Sequence, residues 1–401
     1  MIILLKIDLV DKMRQNETQI VEQIMIDFAS LTGLEPVSKH PKRYLWTDSF
    51  AVCNYLELFN QTRNKKYLDF ALRLVNQVHQ TLGKHREDDQ RSGWISGLEG
   101  QEAKKHPTLG GLRIGKKLNE RKPNEPFDDR LEWDQDGQYY HYLTKWMHAL
   151  NRVGKITKDS NYIRWAIELA QVAHKSFTYL PANRERKIMY WKMNIDLSMP
   201  LVPSMGQHDP LDGFVTYNEL KTTSREFNLS NIPELSNEIS EMADICRGMN
   251  WVTNDPLGIG GLLFDATRIA QLIVNGSIDF NVLFEVILNS AQLGLGSFVK
   301  SNPLGVPANY RLAFRELGLS IGLKGIRNIQ KCFNDHSDSF NMNNSIKETT
   351  KSIITYLPLG EAIEQFWMQS KNWQFGSWAE HREINMTMLT TSLAPNEFMR
   401  V

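Results

Sequence analysis

The sequence predicts an all-α protein whose helical hairpins close into a ring. Two observations support this fold class. Amphipathic periodicity runs along most of the 401 residues, with apolar side chains recurring at the spacing of one helix face. A helical hairpin also recurs within the chain. Because one hairpin cannot bury its own apolar face, a repeated hairpin predicts an array in which neighbours cover one another.

The repeat is clearest in YLDFALRLVNQVHQT (67–81) and YIRWAIELAQVAHKS (162–176), which align without a gap. Each copy follows another helical stretch, at 45–60 or 138–153, across a short polar link. We expect the repeated helices, over 67–82 and 161–178, in the outer layer of the ring and the preceding ones in its inner layer.

Four further pairs bring the number of hairpins to six. They are 212–222 with 235–249, 258–274 with 280–294, 307–321 with 322–333, and 358–370 with 378–392. Residues 17–32 predict an extra N-terminal helix, and the alternation over 188–199 predicts a short ribbon. We expect one toroid domain over 1–401, with a long loop insertion at 83–131.

Composition restricts the function. Lys+Arg and Asp+Glu both total 46, which argues against nucleic-acid or membrane-surface partners. The apolar start is too short for a secretory signal, and no run approaches about 18 apolar residues. Cys53, Cys246 and Cys332 lie far apart and lack metal-ligand spacing. They predict reduced thiols in a cytoplasmic protein.

Residues that can do chemistry gather before the predicted inner helices. RYLWTDSF comes before the first, RLEWDQDGQYYH before the second and SMGQHDPLDGF (204–214) before the third. These three segments hold the candidate acids Asp48, Asp134, Asp136, Asp209 and Asp212. The candidate binding residues of all six segments are Arg43, Trp46, Trp133, His208, Trp251, Tyr310, Arg311, Trp378 and His381. In a closed ring these segments meet at one mouth.

Six hairpins with Trp- and Asp-rich loops resemble the six-hairpin glycosidase superfamily, the (α/α)6 toroids, over roughly residues 40–395. The toroids that the chain resembles include unsaturated-glucuronyl hydrolases and the similarly built N-acylglucosamine 2-epimerases. It is architectural and carries no motif of one member family. It implies a site at one mouth of the ring, in the loops that lead into the inner helices.

Sugar chemistry explains these residue types together. Aromatic faces such as those of Trp46, Trp133 and Trp378 stack on pyranose rings. Glycoside hydrolysis needs one protonated carboxyl group and one ionised carboxylate. The sequence therefore predicts a glycoside hydrolase that uses paired aspartates on an oligosaccharide, without a cofactor or metal. Spacing within the loops does not say which aspartate is acid and which is base.

Two other functions remain open. A sugar epimerase or isomerase would use His208 and His381 for proton transfer, and a scaffold protein would keep the toroid with a degenerate mouth. The acids also have a structural alternative, because an Asp at a helix start can serve as a cap. A divalent metal at His208, Asp209 and Asp212 has no supporting motif. GGLRIGKK (110–117) is a chance P-loop match, since Lys117 stands where Ser or Thr is required.

The long connection at 83–131 interrupts the hairpin pattern. Between Lys104 and Lys122 it carries seven Lys/Arg residues and one acid, Glu120. A solvated loop accounts for this pattern. The functional alternative is a lid whose cations meet an anionic sugar such as a uronate.

Overall fold

The computed structural model of the protein describes residues 2–229, 233–276, 280–340 and 344–401, with side chains from residue 17 onward except at 344. Its helices are α1 (Ile2–Thr32), α2 (Leu45–Thr62), α3 (Lys65–Leu82), α4 (Gly100–Lys105), α5 (Asp129–Asp134), α6 (Tyr140–Thr157), α7 (Ser160–Phe177), α8 (Asp209–Glu226), α9 (Ser236–Cys246), α10 (Pro256–Val274), α11 (Asn281–Lys300), α12 (Ala313–Asp335), α13 (Asn344–Ile354), α14 (Leu357–Trp367), α15 (Gly376–Glu380), α16 (Arg382–Leu393) and α17 (Asn396–Met399).

Six helices form a closed inner ring. Helices α2, α6, α8, α10, α12 and α16 each pack on the next, and α16 returns to α2. The predicted all-α (α/α)6 toroid is therefore confirmed. Helices α3, α7, α9 and α11 pack outside α2, α6, α8 and α10 respectively. The helices expected over 67–82 and 161–178 are α3 and α7, and both lie in the outer layer, as predicted.

The segment 307–333 differs from the prediction, because it forms one inner helix, α12, and not a hairpin. Its glycines bring two helix backbones together instead of making a turn. A Cβ on Gly322 would lie 2.5 Å from the Gly260 carbonyl oxygen, and one on Gly260 would lie 2.0 Å from that of Gly318. Only glycine allows α12 to pack this closely on α10. The outer layer here is α13 and α14.

The predicted N-terminal helix is α1, and it packs on α16 and α2 where the ring closes. It buries Val21, Met25 and Phe28, spaced at helical intervals. The helix predicted at the start of the chain thus becomes the outer cover of the last inner helix.

Short strands line one end of the ring. Strands β1 (Gln138–Tyr139), β4 (Lys192–Met193) and β5 (Pro200–Val202) form an antiparallel sheet in the order β1-β4-β5. Strands β2 (Thr178–Tyr179) and β3 (Ile188–Met189) form a separate pair. The ribbon predicted over 188–199 thus corresponds to β3 and β4. It places Trp191 beside β1, where the Trp191 and Tyr139 rings lie 5.4 Å apart.

Helix α17 closes the opposite end of the ring. Phe398 is 3% exposed and stacks between Phe50 at 4.5 Å and Phe264 at 4.4 Å. Its carbonyl oxygen lies 2.9 Å from His148 Nε2, and Glu397 pairs with buried Arg152. These contacts make a solid floor below the centre of the ring.

Two segments, Pro256–Val274 and Asn281–Gly305, are apolar and long enough to cross a membrane by length and composition alone. The expectation that no run reaches this length is therefore wrong for α10 and α11. Both belong to the ring, and 72% of the α10 window is buried, which is also what the core helix of a globular protein shows.

Candidate active site

A cavity of about 310 Å³ enters the ring where the inner helices begin. Side chains from all six inner helices and from α17 surround it. The lining includes Trp46, Phe50, His141, Lys145, Trp191, Gln207, His208, Asp209, Asp212, Asp255, Phe264, Asp265, Ile321, Met388 and Phe398. Of the predicted site residues, the cavity brings together Trp46, His208, Asp209 and Asp212.

The segment QHDPLDG begins α8, and its first two residues bind a neighbouring loop. Gln207 Nε2 donates to the carbonyl oxygens of Asn250 and Val252, and His208 Nε2 lies 2.9 Å from that of Trp251. Burial lowers the pKa of His208, which favours the neutral ring. The segment thereby fixes the direction in which the next residue, Asp209, enters the cavity.

Asp209 and His141 face each other without saturating their hydrogen bonds. Asp209 Oδ1 lies 3.6 Å from His141 Nδ1, which is beyond hydrogen-bond distance. Buried Asp209 Oδ2 and His141 Nδ1 have no hydrogen-bond partner among the described residues. A buried carboxylate oxygen without a donor is costly in a structural role. Both groups line the cavity and can therefore bind a ligand hydroxyl or a water.

Asp212, one turn further along α8, is fully engaged by the protein. Its Oδ1 lies 2.7 Å from Lys145 Nζ and 2.7 Å from Arg268 Nη2, and Oδ2 accepts a hydrogen bond from Thr144. Burial alone would raise its pKa, but the two cations outweigh burial and lower it. Asp212 is therefore an ionised group that holds Lys145 and Arg268 in place.

Asp265, in the middle of α10, differs from Asp212 because its pKa is raised and not lowered. Arg268 Nη2 donates to its Oδ1 at 2.6 Å and is the only hydrogen-bond donor to it among the described residues. Burial raises the pKa of Asp265 to about 6, and neighbouring Asp212 adds to the rise. Because one Arg268 nitrogen binds both carboxylates, an ionised and an easily protonated acid lie side by side.

Asp48 and Arg43 form a structural pair away from the cavity lining. The Tyr44 backbone N–H donates to Asp48 Oδ2 at 3.0 Å, which caps α2, and Arg43 Nη1 lies 3.4 Å from Oδ1. Burial raises the pKa of Asp48 to about 6. The structure thus gives Asp48 the capping role that the sequence left open.

Asp136 is also saturated by protein donors. Its Oδ1 accepts from the backbone N–H groups of Gly115 and Gly137, and its Oδ2 from Arg113 at 2.9 Å and Arg86 at 3.3 Å. It fastens the connection 83–131 to the ring. Asp134, at the end of α5, is exposed and lies outside the cavity lining.

The remaining predicted binding residues mostly pack. Trp251 is 1% exposed, Arg311 is buried against Glu316, and Trp378 stacks on Trp373 at 5.0 Å. His381 packs on Phe314 and Tyr310 is exposed, and neither lines the cavity. Trp133 lies just outside the cavity. The cavity wall therefore includes none of these five predicted residues: Trp251, Arg311, Trp378, His381 and Tyr310.

The connection 83–131 is held to the ring by charge pairs. Arg113 pairs with Asp136 and Arg121 with Glu132, whereas Lys105 pairs with Glu102 inside the connection. Lys116 differs, since its Nζ lies 5.6 Å from the Tyr44 ring and burial lowers its pKa. Among the described residues, ion pairs therefore engage the two arginines and Lys105 of the stretch 104–122, and its other four lysines have none.

Several cavity residues were absent from the predicted site, and they include His141, Lys145, Trp191 and Asp265. Asp265 had a usable signal, because it is the one acid in the apolar helix PLGIGGLLFDATRIAQLIV and stands three residues before Arg268. Lys145 had a weaker signal in the sequence, because it is a cation on a helix face that is buried. Among the described residues, no cluster of three or more His, Cys, Asp or Glu can hold a metal ion.

No protein-family model matches the chain, and no curated protein matches it. Among solved structures it is similar to a GH76 alpha-mannanase from Bacteroides thetaiotaomicron, with a TM-score of 0.50 and 9% identity over 94% of this chain and 96% of that one. The chain shares the six-hairpin (α/α)6 fold of that structure. This similarity concerns the fold, so the function has to be argued from the cavity.

Proposed function

We propose that the protein is a glycoside hydrolase that acts on an oligosaccharide. The observation that carries this proposal is the pairing, in one cavity, of Asp209 and Asp265 with the aromatic side chains of Trp46 and Trp191. The acids supply the two carboxyl groups that glycoside hydrolysis needs, and the indoles supply apolar faces for a sugar ring. The six-hairpin fold, which this chain shares with an alpha-mannanase, is in keeping with it.

Asp265 is the proposed general acid. With a pKa raised to about 6, part of its population keeps the proton near neutral pH. In the reaction, that proton passes to the glycosidic oxygen as the bond from this oxygen to the anomeric carbon breaks. Arg268 holds the Asp265 carboxylate that results, and a proton from solvent restores the acid.

Asp209 is the proposed base. Its Oδ2 has no protein donor among the described residues, so a water or a sugar hydroxyl can occupy that position. In hydrolysis it accepts a proton from the attacking water, whose oxygen forms the new bond to the anomeric carbon. His141, 3.6 Å away, positions this water from the other side.

We propose a cytoplasmic location on the basis of the cysteines. Cys53 and Cys246 are buried, and neither they nor Cys332 forms a disulfide. Chains exposed to an oxidising compartment more often pair their cysteines.

The alternative is a sugar isomerase, and one observation favours keeping it. His141 and His208 both line the cavity, and His141 Nδ1 has no partner among the described residues. Two imidazoles can exchange a carbon-bound proton. The earlier candidate His381 does not line the cavity, so this alternative depends on His141 and His208.

The test is turnover on a panel of glycosyl fluorides, reduced oligosaccharides and free monosaccharides, beginning with mannose and its glycosides, in normal water and in D₂O. We expect release of a reducing sugar. Asp209→Asn should lower turnover by at least about two orders of magnitude on every substrate, and Asp265→Asn should lower it as far on the oligosaccharides, whose glycosidic oxygen needs the proton, but less on the fluorides, with melting temperatures retained in both variants. Asp69→Asn, on the exposed face of α3, is the matched control. Full activity in both cavity variants would refute the assignment, and deuterium incorporation into a free sugar without hydrolysis would favour the isomerase.

A further inference from the structure

We infer that the protein removes sugars from the end of a glycan chain, with Trp133 forming a second binding site for the adjacent sugar. This inference rests on the proposed glycoside hydrolase function. It follows from two features of the described residues, the closed shape of the cavity and an exposed indole outside its wall.

The cavity opens at the mouth and has a wall and a floor. Its wall includes residues of every inner helix, and its floor is Phe398 of α17, with Met388 and Ile321 beside it. These three floor residues are each no more than 4% exposed. A glycan cannot pass through this floor. A sugar that reaches Asp265, in the third turn of α10, is therefore surrounded by the ring and enters as a chain end.

Trp133 extends the aromatic wall beyond the mouth. Trp191, which lines the cavity, contacts it edge to face, with ring centroids 5.6 Å apart. On its other side Trp191 stacks on His141, the neighbour of Asp209. Trp133 is 51% exposed, which is unusual for so large an apolar side chain. The aromatic surface thus runs continuously from the catalytic pair to solvent.

A hydrogen-bond donor accompanies this indole. Lys116 Nζ lies 5.9 Å from the centroid of the Trp133 ring, and Lys116 has no ion-pair partner among the described residues. An exposed apolar ring beside an uncommitted donor suits a pyranose, which has an apolar face and hydroxyls around its edge. At the mouth of a closed cavity, such a surface fits the sugar next to the one that is cleaved off.

The experiment compares a linear hexasaccharide, reduced with borohydride, with the glycosyl fluoride of the same sugar. The fluoride leaving group is a single atom and cannot reach Trp133. We expect the wild-type protein to release monosaccharide and reduced pentasaccharide first. We expect Trp133→Ala to lower the ratio of kcat/KM on the hexasaccharide to kcat/KM on the fluoride about tenfold. Trp133→Phe should restore most of this ratio. Leu293→Ala, at an exposed position of α11, should leave it unchanged.

Each contrary result has a separate meaning. Early products of intermediate length would overturn cleavage from the chain end, even if hydrolysis itself is confirmed. An equal ratio in Trp133→Ala and Leu293→Ala would overturn the second binding site. If the wild-type protein hydrolyses neither substrate across the sugar panel, the proposed function itself fails.

Discussion

At the scale of single residues, the aspartates of the ring differ in their hydrogen-bond donors and not in their local sequence. Asp136 and Asp212 are surrounded by donors that fix their carboxylates in place. Within the part of the chain that the structure describes, Asp209 has an oxygen without a donor, and Asp265 has a single donor, Arg268. A carboxylate that the protein leaves incompletely bonded is the one available to a substrate.

The pH dependence should report Asp265. As the general acid it must be protonated, so we expect kcat/KM to fall as pH rises through about 6, its raised pKa. This decrease in kcat/KM should be measured by initial rates from pH 4 to 9. A rate that stays constant from pH 5 to 8 would contradict the role of Asp265 as acid.

The free energy of unfolding should also depend on the ionisation of Asp265, and it should decrease as this group ionises. Because folding raises the pKa of Asp265, the folded state binds its proton more tightly than the unfolded state does. This contribution is fully present below the usual carboxyl pKa and is lost as pH rises through about 6. Asp265→Asn has no ionisation to oppose burial. Its melting temperature at pH 8 should therefore equal or exceed that of the wild type. A clear decrease would mean that Arg268 requires the charge.

Gly206 leaves room for the Asp209 carboxylate. A Cβ at this position would lie 2.5 Å from Asp209 Oδ2. We expect Gly206→Ala to displace the carboxylate and reduce kcat at least tenfold, with a change of about 1 kcal/mol or less in the free energy of unfolding. Gly296→Ala is the control, since its Cβ meets only Tyr356 Oη at 3.9 Å, and alanine favours the helix. Equal activity of the two variants would show that Asp209 tolerates the shift.

At the scale of elements, the connection 83–131 shows how a long segment with little regular structure is fixed to the ring. Backbone N–H groups at Arg113 and Ile114 donate to Leu82 and Gly137, and the Leu45 N–H donates back to Ile114. The loop is thereby bonded to the end of α3 and to the starts of α2 and β1. Asp136 strengthens this attachment, because its carboxylate binds two arginines of the connection.

Asp136→Asn tests that attachment. The substitution leaves the buried guanidinium groups of Arg86 and Arg113 without the charge of their shared carboxylate. We expect the free energy of unfolding in urea to fall by about 3 kcal/mol. Trypsin should cleave between 112 and 122 sooner than in the wild type, and kcat per folded molecule should remain close to normal. Retained stability with lost turnover would instead return Asp136 to the catalytic site.

At the scale of the whole molecule, ring closure makes each junction between inner helices important to all the others. Helix α1 covers the junction of α16 and α2, and Phe28 is fully buried there. The floor helix α17 contacts α2, α6 and α10 at once. Loss of packing at one junction therefore weakens a structure in which no inner helix has a free edge.

Phe28→Ala should destabilise the entire ring. We expect a loss of about 3–4 kcal/mol in the free energy of unfolding, because the truncation leaves a cavity under α1. Transitions followed by circular dichroism and by tryptophan fluorescence should shift together. Ile26→Ala on the same helix, where the side chain is 37% exposed, should cost less than about 1 kcal/mol. Separate transitions would show that α1 unfolds independently of the ring.

The sequence by itself determined the helices, their layers and the mouth at which loops converge. Helical periodicity is a local property, and the repeat at 67–81 and 162–176 indicated stacked hairpins because each apolar stripe needs a neighbour. The same reasoning failed over 307–333, where one long inner helix stands in place of the expected hairpin. The close approach of α10 to the glycines of α12 depends on the neighbouring helix, which local periodicity does not describe.

Tertiary structure alone decided which acids are free. Asp48 and Asp136 have the same residue type and a similar position before an inner helix as Asp209, but Arg43, Arg86 and Arg113 reach them in the folded chain. Asp265 joins the site because Arg268 binds it together with Asp212, which lies on a different helix. The pKa and the availability of a carboxylate depend on burial and on distant donors. These properties arise only when the ring closes.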